Sequence, residues 1–560
     1  MNTKFICLKN VMAILLSINI LSCSSSNSSI EELPYLTVKS VSPQNLAAAG
    51  GEITIRVSSY PVATAQSNAG WITLKSNTSS DNLTSFAFTA EANKGITIRV
   101  SSYPVATAQS NAGWITLKSN TSSDNLTSFA FTAEANKGNA REAGITITAG
   151  EKETSIIITQ AANNEQESKP AIDENLPAVK VVKELGLGWN LGNQLDAHVN
   201  EIADETSWGN GKVTQETLLK VKQAGFTSVR IPVTWLGKVG EAPHYHIDTD
   251  WMNRVAEVVE YAEKAGLKAI INIHHDGHRH IHEDGFDEHR WLDIVEAAQN
   301  KDVNTAIKEQ LKSMWTQIAQ RFENKGEFLI FEGLNEIHDG RWGSGTNTTD
   351  GGKQYATLNE WQQVFVDAVR ATGGNNATRY LGISGYCTSP NLTIKHLQLP
   401  TDQAKDRLLI SVHYYDPATF ALEDKFAEWG HTGAPSKKEN WGDEKHLEKI
   451  FAALRTAYVE KGIPVYIGEM GCVHRNNNRS ETFRKYYLEY ICKAARTNGM
   501  AVFYWDNGNA GAGRECSGLM NHATGTYVNN GKDVIDVMTK GYFSNDPSYT
   551  LESLYNNAPQ

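Results

Sequence analysis

From about residue 178 the chain alternates between short apolar runs bounded by turn-like residues and longer stretches whose apolar residues recur every three or four positions. The short runs predict strands buried on both faces, and the longer stretches predict helices with one face on a core. Eight strand candidates follow one another: LGLGWNLGN (185–193), TSVRIPVTW (227–235), KAIINIHHD (268–276), FLIFEGLNE (328–336), RYLGISGY (379–386), RLLISVHYYDP (407–417), IPVYIGEMG (463–471) and AVFYWDNG (501–508). The stripe Met252, Val255, Val259 and Ala262 precedes the third strand, and Ile307, Leu311, Met314, Ile318 and Phe322 precede the fourth. Eight such units predict an α/β domain, a (β/α)8 TIM barrel over residues 178–560.

Upstream the period changes to two. Residues 36–160 hold strand-like pieces such as ITIRVSS, WITLKS and TSFAFTAEA between Gly and Asn turns, which predicts antiparallel β structure. Inside this region a 43-residue segment, residues 53–95, recurs unchanged as residues 96–138. A working repeat array drifts in sequence, so perfect identity points to a recent duplication. With one copy removed, the strands suffice for one small immunoglobulin-like sandwich; the duplicated half is expected to loop out or to pair as extra strands. The polar stretch 161–177 reads as a linker.

Residues 1–22 carry Lys4 and Lys9 ahead of the apolar VMAILLSINIL, too short for an ordinary membrane span, and read as an export signal. The signal ends ILSC, which resembles the bacterial lipobox, with Ile20 where Leu is commoner. That resemblance implies lipid modification of Cys23, a serine-rich tether over 23–35, and a lipoprotein on the outer membrane or cell surface of a bacterium; plain secretion is the alternative. More than one acyl chain anchors stably, since each buried CH₂ contributes about 0.8 kcal/mol.

With 52 basic against 63 acidic side chains and no Lys/Arg-rich block, nucleic acid is excluded as an expected partner. The six cysteines form no CxxC pair and no framework, so neither structural zinc nor a disulfide scaffold is indicated. Six of the sixteen histidines fall between 274 and 289, in HHDGHRHIHEDGFDEH. Such a loop has donors for a transition metal, but it lacks HExxH or a repeated ligand spacing; the expectation is no metal and no cofactor.

Polar residues gather at the ends of the predicted strands: Arg230, His274, Asn335, Glu336, His413, Tyr415, Glu469 and Trp505. Folding alone does not require them there, whereas catalysis at the C-terminal face of a barrel does. Two carboxylates at strand ends, Glu336 and Glu469, suit glycosidic bond cleavage.

The sandwich region resembles the BACON domain, through the Trp71 (or Trp114) strand, the NKGNAREAGITIT segment and the closing IIITQ; this implies a carbohydrate-binding or spacer module. RIPVTW, INIHHDG, GLNE, VHYYDP, IGEMG and FYWDNG resemble, in order, the strand tips of glycoside hydrolase family 5. The resemblance spans about residues 178–550. It implies Glu336 as acid/base, Glu469 as nucleophile, Arg230 and Tyr415 as supports of Glu469, Asn335 on the sugar 2-hydroxyl, His274 and His413 lining the same subsite, and Trp505 as the platform beneath the sugar. On that reading Arg230 depresses the Glu469 pKa, and the charge on Glu469 raises that of Glu336. Trp208, Trp342 and Trp441, in predicted loops, are candidates for outer subsites, with plain loop packing as the other reading. Ile337 and Met470 depart from the family's usual Pro and Phe. The expected function is that of a retaining, endo-acting β-1,4-glucan hydrolase, acting on cellulose derivatives, mixed-linkage glucan or xyloglucan. The alternatives are a mannanase of the same fold and a non-catalytic carbohydrate-binding lipoprotein.

Overall fold

The computed structural model describes β-strands between residues 35 and 160, residues 172–277, 290–342 and 350–560, and two short strands at His280–Ile281 and Asp287–Glu288. The export signal, Cys23, the tether, Trp71, Trp114, most of the polar linker and most of the histidine-rich loop lie outside the described residues. No helix among the described residues is long and apolar enough to cross a membrane. Contacts divide the chain into two compact units, Met1–Lys169 and Pro170–Gln560.

In the first unit every described strand belongs to one of three sheets. One is ordered Tyr35–Ser42, Gly50–Tyr60, Leu83–Glu91, Thr73–Ser80; another Ile96–Ser101, Leu126–Ala133, Ile115–Ser123. The third joins Asn45–Leu46, Lys152–Gln160, Arg141–Ala149 and Thr107–Ser110. The two copies of the duplicated segment share one three-strand pairing, and the second also contributes Thr107–Ser110 to the third sheet. Ile53 pairs with Phe88 and Ile96 with Phe131, and the register shifts at Leu74/Ser76 in one copy and at Leu117/Ser119 in the other. Identical side-chain patterns select identical pairings. The duplicated half therefore pairs rather than looping out.

The second unit is a closed parallel barrel of β1 (Leu187–Leu191), β2 (Ser228–Ile231), β3 (Lys268–Asn272), β4 (Leu329–Glu332), β5 (Leu381–Ser384), β6 (Leu408–Tyr414), β7 (Val465–Met470) and β8 (Ala501–Asp506). All eight predicted strands are present, and β8 closes on β1 from Leu187 opposite Val502 to Leu191 opposite Asp506. Ile270, Ile330, Leu409, Tyr466 and Phe503 pack inside the barrel's lower end with Val182 and Leu185 of the helix Pro177–Leu185. The outer helices bury the predicted stripes. In Thr249–Ala265, Met252, Val255, Val259 and Ala262 are buried, the Asp248 side chain accepts the Trp251 N–H, and Gly266 closes the helix at φ 69°.

Two sequence boundaries move. Ile172, assigned above to the linker, is only 8% exposed and joins the core of the second unit, so that unit begins before residue 178. The fourth strand ends at Glu332, not Glu336. Beyond it the chain turns toward the third strand's extension, with the Asn335 N–H donating to Ile273 O at 3.0 Å, which places Asn335 and Glu336 in the loop over the barrel mouth.

Candidate active site

Arg230 stands at the centre of the barrel mouth, wholly buried, with its N–H groups spent on fixed acceptors. Nη1 donates to Glu469 Oε1 at 2.7 Å and to Asn190 Oδ1 at 3.0 Å; Nη2 donates to Glu332 Oε1 at 2.6 Å and to Asn335 Oδ1 at 2.8 Å. Nε donates to both Glu332 oxygens, at 3.2 and 3.3 Å. Register shifts in β6 between Val412 and His413, and in β7 between Ile467 and Met470, accompany the pairing of His413 with Glu469. Such irregularities re-aim side chains.

His413 Nδ1 lies 2.6 Å from Glu336 Oε1 and 3.5 Å from Glu469 Oε2. One oxygen of each carboxyl and a ring nitrogen of His413 fall within 4.8 Å of one another. That spacing fits a carboxylate attacking directly; a pair that seats a water between its members stands about 6.5–9.5 Å apart. His413 Nε2 is buried with no bonding partner, so a proton on Nδ1 leaves only a lone pair unmatched there. With Nδ1–H donating to Oε1, and the Thr388 hydroxyl 3.4 Å away turning its hydrogen to Cys387 O at 2.6 Å, the other Glu336 oxygen is left to carry an acid proton. Tyr415 Oη donates to Glu469 Oε2 at 3.1 Å.

The electrostatics differ in part from expectation. Burial pushes the Glu336 carboxyl up to about 7, against Arg230, His275 and the Thr388 hydroxyl, while the Glu332 charge adds to the rise. Burial is the largest cause and Glu332 reinforces it, while the repulsion between the two reactive carboxyls is felt as a rise at Glu469. Burial also raises Glu469, outweighing His413 and Arg230, so Arg230 moderates its pKa without depressing it below the usual range. His413 is pushed down to about 4 by burial, and His274 falls well below its usual value for the same reason. Both rings are neutral near pH 7, which leaves Arg230 as the standing positive charge.

Trp505 closes one side, its ring parallel to His274 at 5.7 Å between centroids. A Cβ on Gly192 would meet the Trp505 ring and the Asp506 carbonyl at 2.9 Å, so only glycine admits this approach. Asp506 fixes the following loop by accepting Trp189 Nε1 at 2.9 Å and the N–H groups of Gly508, Leu519 and Met520 at 2.9–3.1 Å.

These groups open into a cleft of about 530 Å³ whose lining includes His274, His275, Glu336, Trp342, His413, Tyr415, Glu469 and Trp505. Of the three outer tryptophans, Trp342 lines the cleft and is 61% exposed. Trp208 and Trp441 are outside that lining among the described residues; Trp208 packs at 5.4 Å on His275, and Trp441 meets His446 edge-on at 5.4 Å. The hollow at the other end of the barrel, about 390 Å³, is lined by Lys180, Glu184, Lys268, Glu327 and Arg407 and gathers none of the strand-end groups. Among the described residues two groups bring three possible metal donors within 4.8 Å of one another: Glu336, His413 and Glu469, and Asp196, His274 and His275. In the second, Asp196 already accepts the N–H groups of Asn193 and Gln194, and His274 Nδ1 faces Asn272 Nδ2 at 3.1 Å.

Sequence reasoning missed Glu332, Asn190, Asn272, Thr388 and Asp506. The available signal was a single charge ending each of two apolar runs, FLIFE and AVFYWD.

A closed parallel barrel with a close carboxyl pair, a neutral histidine between them and a tryptophan in the cleft wall defines a retaining glycoside hydrolase. The chain belongs to glycoside hydrolase family 5: the cellulase model of that family matches residues 193–511. The BACON family of N-terminal domains matches residues 104–161, which begins inside the second copy of the duplicated segment. Endoglucanase A of Paenibacillus barcinonensis is 38% identical over 349 residues, covering 60% of this chain and 83% of that protein. A broad-specificity endoglucanase structure from Bacteroides salanitronis is 57% identical with TM-score 0.63, covering 67% of this chain and 97% of that one. A family 5 xyloglucanase structure from Paenibacillus pabuli is 39% identical with TM-score 0.58, covering 65% and 99%.

Proposed function

We propose that the chain is an endo-β-1,4-glucanase that cleaves soluble β-glucans, xyloglucan among them, with Glu469 as nucleophile and Glu336 as acid/base. The single observation that supports this best is His413 Nδ1 between the two carboxyls, at 2.6 and 3.5 Å. Relatives named as endoglucanase, broad-specificity endoglucanase and xyloglucanase support the substrate class.

In the first step a Glu469 oxygen bonds the anomeric carbon, the glycosidic C–O bond breaks, and the Glu336 proton passes to the leaving oxygen. In the second, Glu336 takes a proton from water, the oxygen of that water bonds the anomeric carbon, and Glu469 leaves. Arg230 and Tyr415 hold the attacking carboxylate in place. Asn335, held by Arg230, receives the sugar 2-hydroxyl, His274 and His413 line that subsite, and Trp505 stacks beneath the ring. Trp342 extends the cleft to a neighbouring sugar, and Trp208 sits beyond His275 as a more distant contact.

The test is hydrolysis of a panel of β-glucan, xyloglucan and mannan with the first product anomer read by NMR. β product from glucan or xyloglucan supports the reading, and α product, or cleavage of mannan alone, overturns it. Glu469→Gln is expected to lower kcat on the order of 10³-fold or more; undiminished turnover refutes the nucleophile assignment.

For location, the ILSC sequence supports lipid modification at Cys23 and a surface-anchored enzyme. Cys23→Ala should shift the protein from the membrane fraction to the medium, and a chain that stays membrane-bound would refute the anchor.

A further inference from the structure

Below the two carboxyls proposed as acid and nucleophile lies a third, which has no part in the bond-breaking steps. Glu332 ends β4, is completely buried and is crowded with donors. Besides the three contacts from Arg230, it accepts from Asn272 Nδ2 at 2.9 Å, Ser411 Oγ at 3.0 Å and Tyr466 Oη at 2.6 Å. Burial alone would push its carboxyl up, but Arg230 and the Tyr466 hydroxyl bring it down to about 2, so it stays charged throughout the working range. Burying an ion in a strand is costly unless it is paired, and this one is paired with the guanidinium that holds Glu469.

Two consequences follow from the geometry. A guanidinium is a rigid planar fork, so docking Nε and Nη2 on Glu332 fixes where Nη1 points, which is at Glu469. The charges also balance differently with and without Glu332. Around Glu336 stand Arg230 from β2, His274 and His275 beyond β3, Cys387 and Thr388 beyond β5, His413 and Tyr415 from β6, and Glu469 from β7. Burial leaves His274 and His413 neutral and pushes the Cys387 thiol and the Tyr415 phenol well up, while His275 is at the rim 3.5 Å from Asp196. Arg230 is thus the main buried positive charge, and its field favours loss of the Glu336 proton. Glu332 is a buried negative charge, additional to the nucleophile Glu469, that opposes it.

We propose that Glu332 is a positioning residue that aims Arg230 at Glu469 and offsets enough of the Arg230 charge for Glu336 to keep its proton until the leaving oxygen needs it. This rests on the assignment of Glu336 as acid and Glu469 as nucleophile.

The test is the pH profile of kcat/KM on a soluble β-glucan for the full chain and its Glu332→Gln and Glu332→Asp variants. Removing a negative charge favours ionisation of both reactive carboxyls. Glu332→Gln should therefore move both limbs toward acid, by about one pH unit, the scale of one charge several ångströms away in a medium of intermediate dielectric. Glu332→Asp, which keeps the charge, should leave the limbs in place while lowering kcat. Limbs unmoved in Glu332→Gln, with only the rate reduced, would overturn the proposal in favour of a purely structural role. Should Glu332→Gln fail to fold, the unsubstituted protein labelled with ¹³C at glutamate Cδ decides: a Glu332 signal constant from pH 4 to 8 supports the proposal, and one that titrates there overturns it. The acid assignment is checked separately with Glu336→Gln on an aryl glycoside whose leaving group needs no protonation. If the alkaline limb persists there, that assignment fails; if it disappears there yet stays put in Glu332→Gln, only the Glu332 proposal fails.

Discussion

At the scale of single residues, the site pays for its chemistry in stability, and Glu336 carries the clearest pH dependence. Its carboxyl is raised to about 7 in the folded chain, chiefly by burial, against an ordinary 4.5. A raised folded value means that the favourable contribution is fully present below the unfolded pKa and is lost as pH rises through 7. The full difference corresponds to about 3 kcal/mol. Glu336→Gln, which never ionises, should therefore match the unsubstituted protein near pH 4.5 and exceed it by up to that amount at pH 8 in denaturant unfolding. Equal stabilities at pH 8 would contradict a largely buried, high-pKa acid. The same residues explain what the sequence made legible. Arg230, His413, Glu469 and Trp505 lie in strands or at their tips, where a polar side chain in an apolar run stands out. Glu332 is equally polar and equally terminal, but its meaning depends on Arg230, 102 positions away, and no local pattern encodes that pairing. The Glu469 shift was misjudged because a sequence displays the partner charge and not the depth of burial.

At the scale of elements, strand identity was legible and loop shape was not. The eight runs alternate with striped helices strongly enough to fix the barrel order, whereas the exit from β4 depends on Asn335 reaching Ile273 O across the mouth at 3.0 Å. Trp441 illustrates the limit: its loop position left a cleft contact and plain loop packing both open, and in the fold it meets His446 edge-on while 47% exposed. The loop after β8 is tied down by Asp506 and by Asn507, whose Oδ1 accepts from Asn509 and Ser517 N–H. Asp506 takes donors from Trp189, Gly508, Leu519 and Met520 while the adjacent Trp505 forms the cleft wall. Replacing Asp506 by Ala strands several buried N–H groups, each costing about 1–3 kcal/mol. The expected outcome is a loss of several kcal/mol in unfolding experiments together with a raised KM, as the loop slackens and Trp505 loses its fixed place. A variant with normal stability and normal KM would show that the β8 loop is held by other contacts.

At the scale of the whole molecule, the division into units places every residue proposed for catalysis in Pro170–Gln560 and the duplicated segment entirely in the other unit. The same three-strand pairing and the same register shift recur in both copies, so each has the local information to form that sheet. Hydrolysis of short soluble glucans should then be independent of the first unit. Where the cut is made matters, because Ile172 lies in the segment that sequence reading assigned to the linker yet is buried in the barrel core. A Cβ on Gly499 would come within 3.1 Å of both Ile172 and Val179, which places Ile172 against the helix that closes the barrel's lower end. Fully burying such a side chain contributes about 1.5–3 kcal/mol. A fragment spanning 170–560 should retain the full chain's kcat on soluble β-glucan, and one spanning 178–560 should retain the chemistry but unfold more readily by about that amount. Equal unfolding free energies for the two fragments would mean that the polar stretch is a linker along its whole length, and that the second unit's core closes without it.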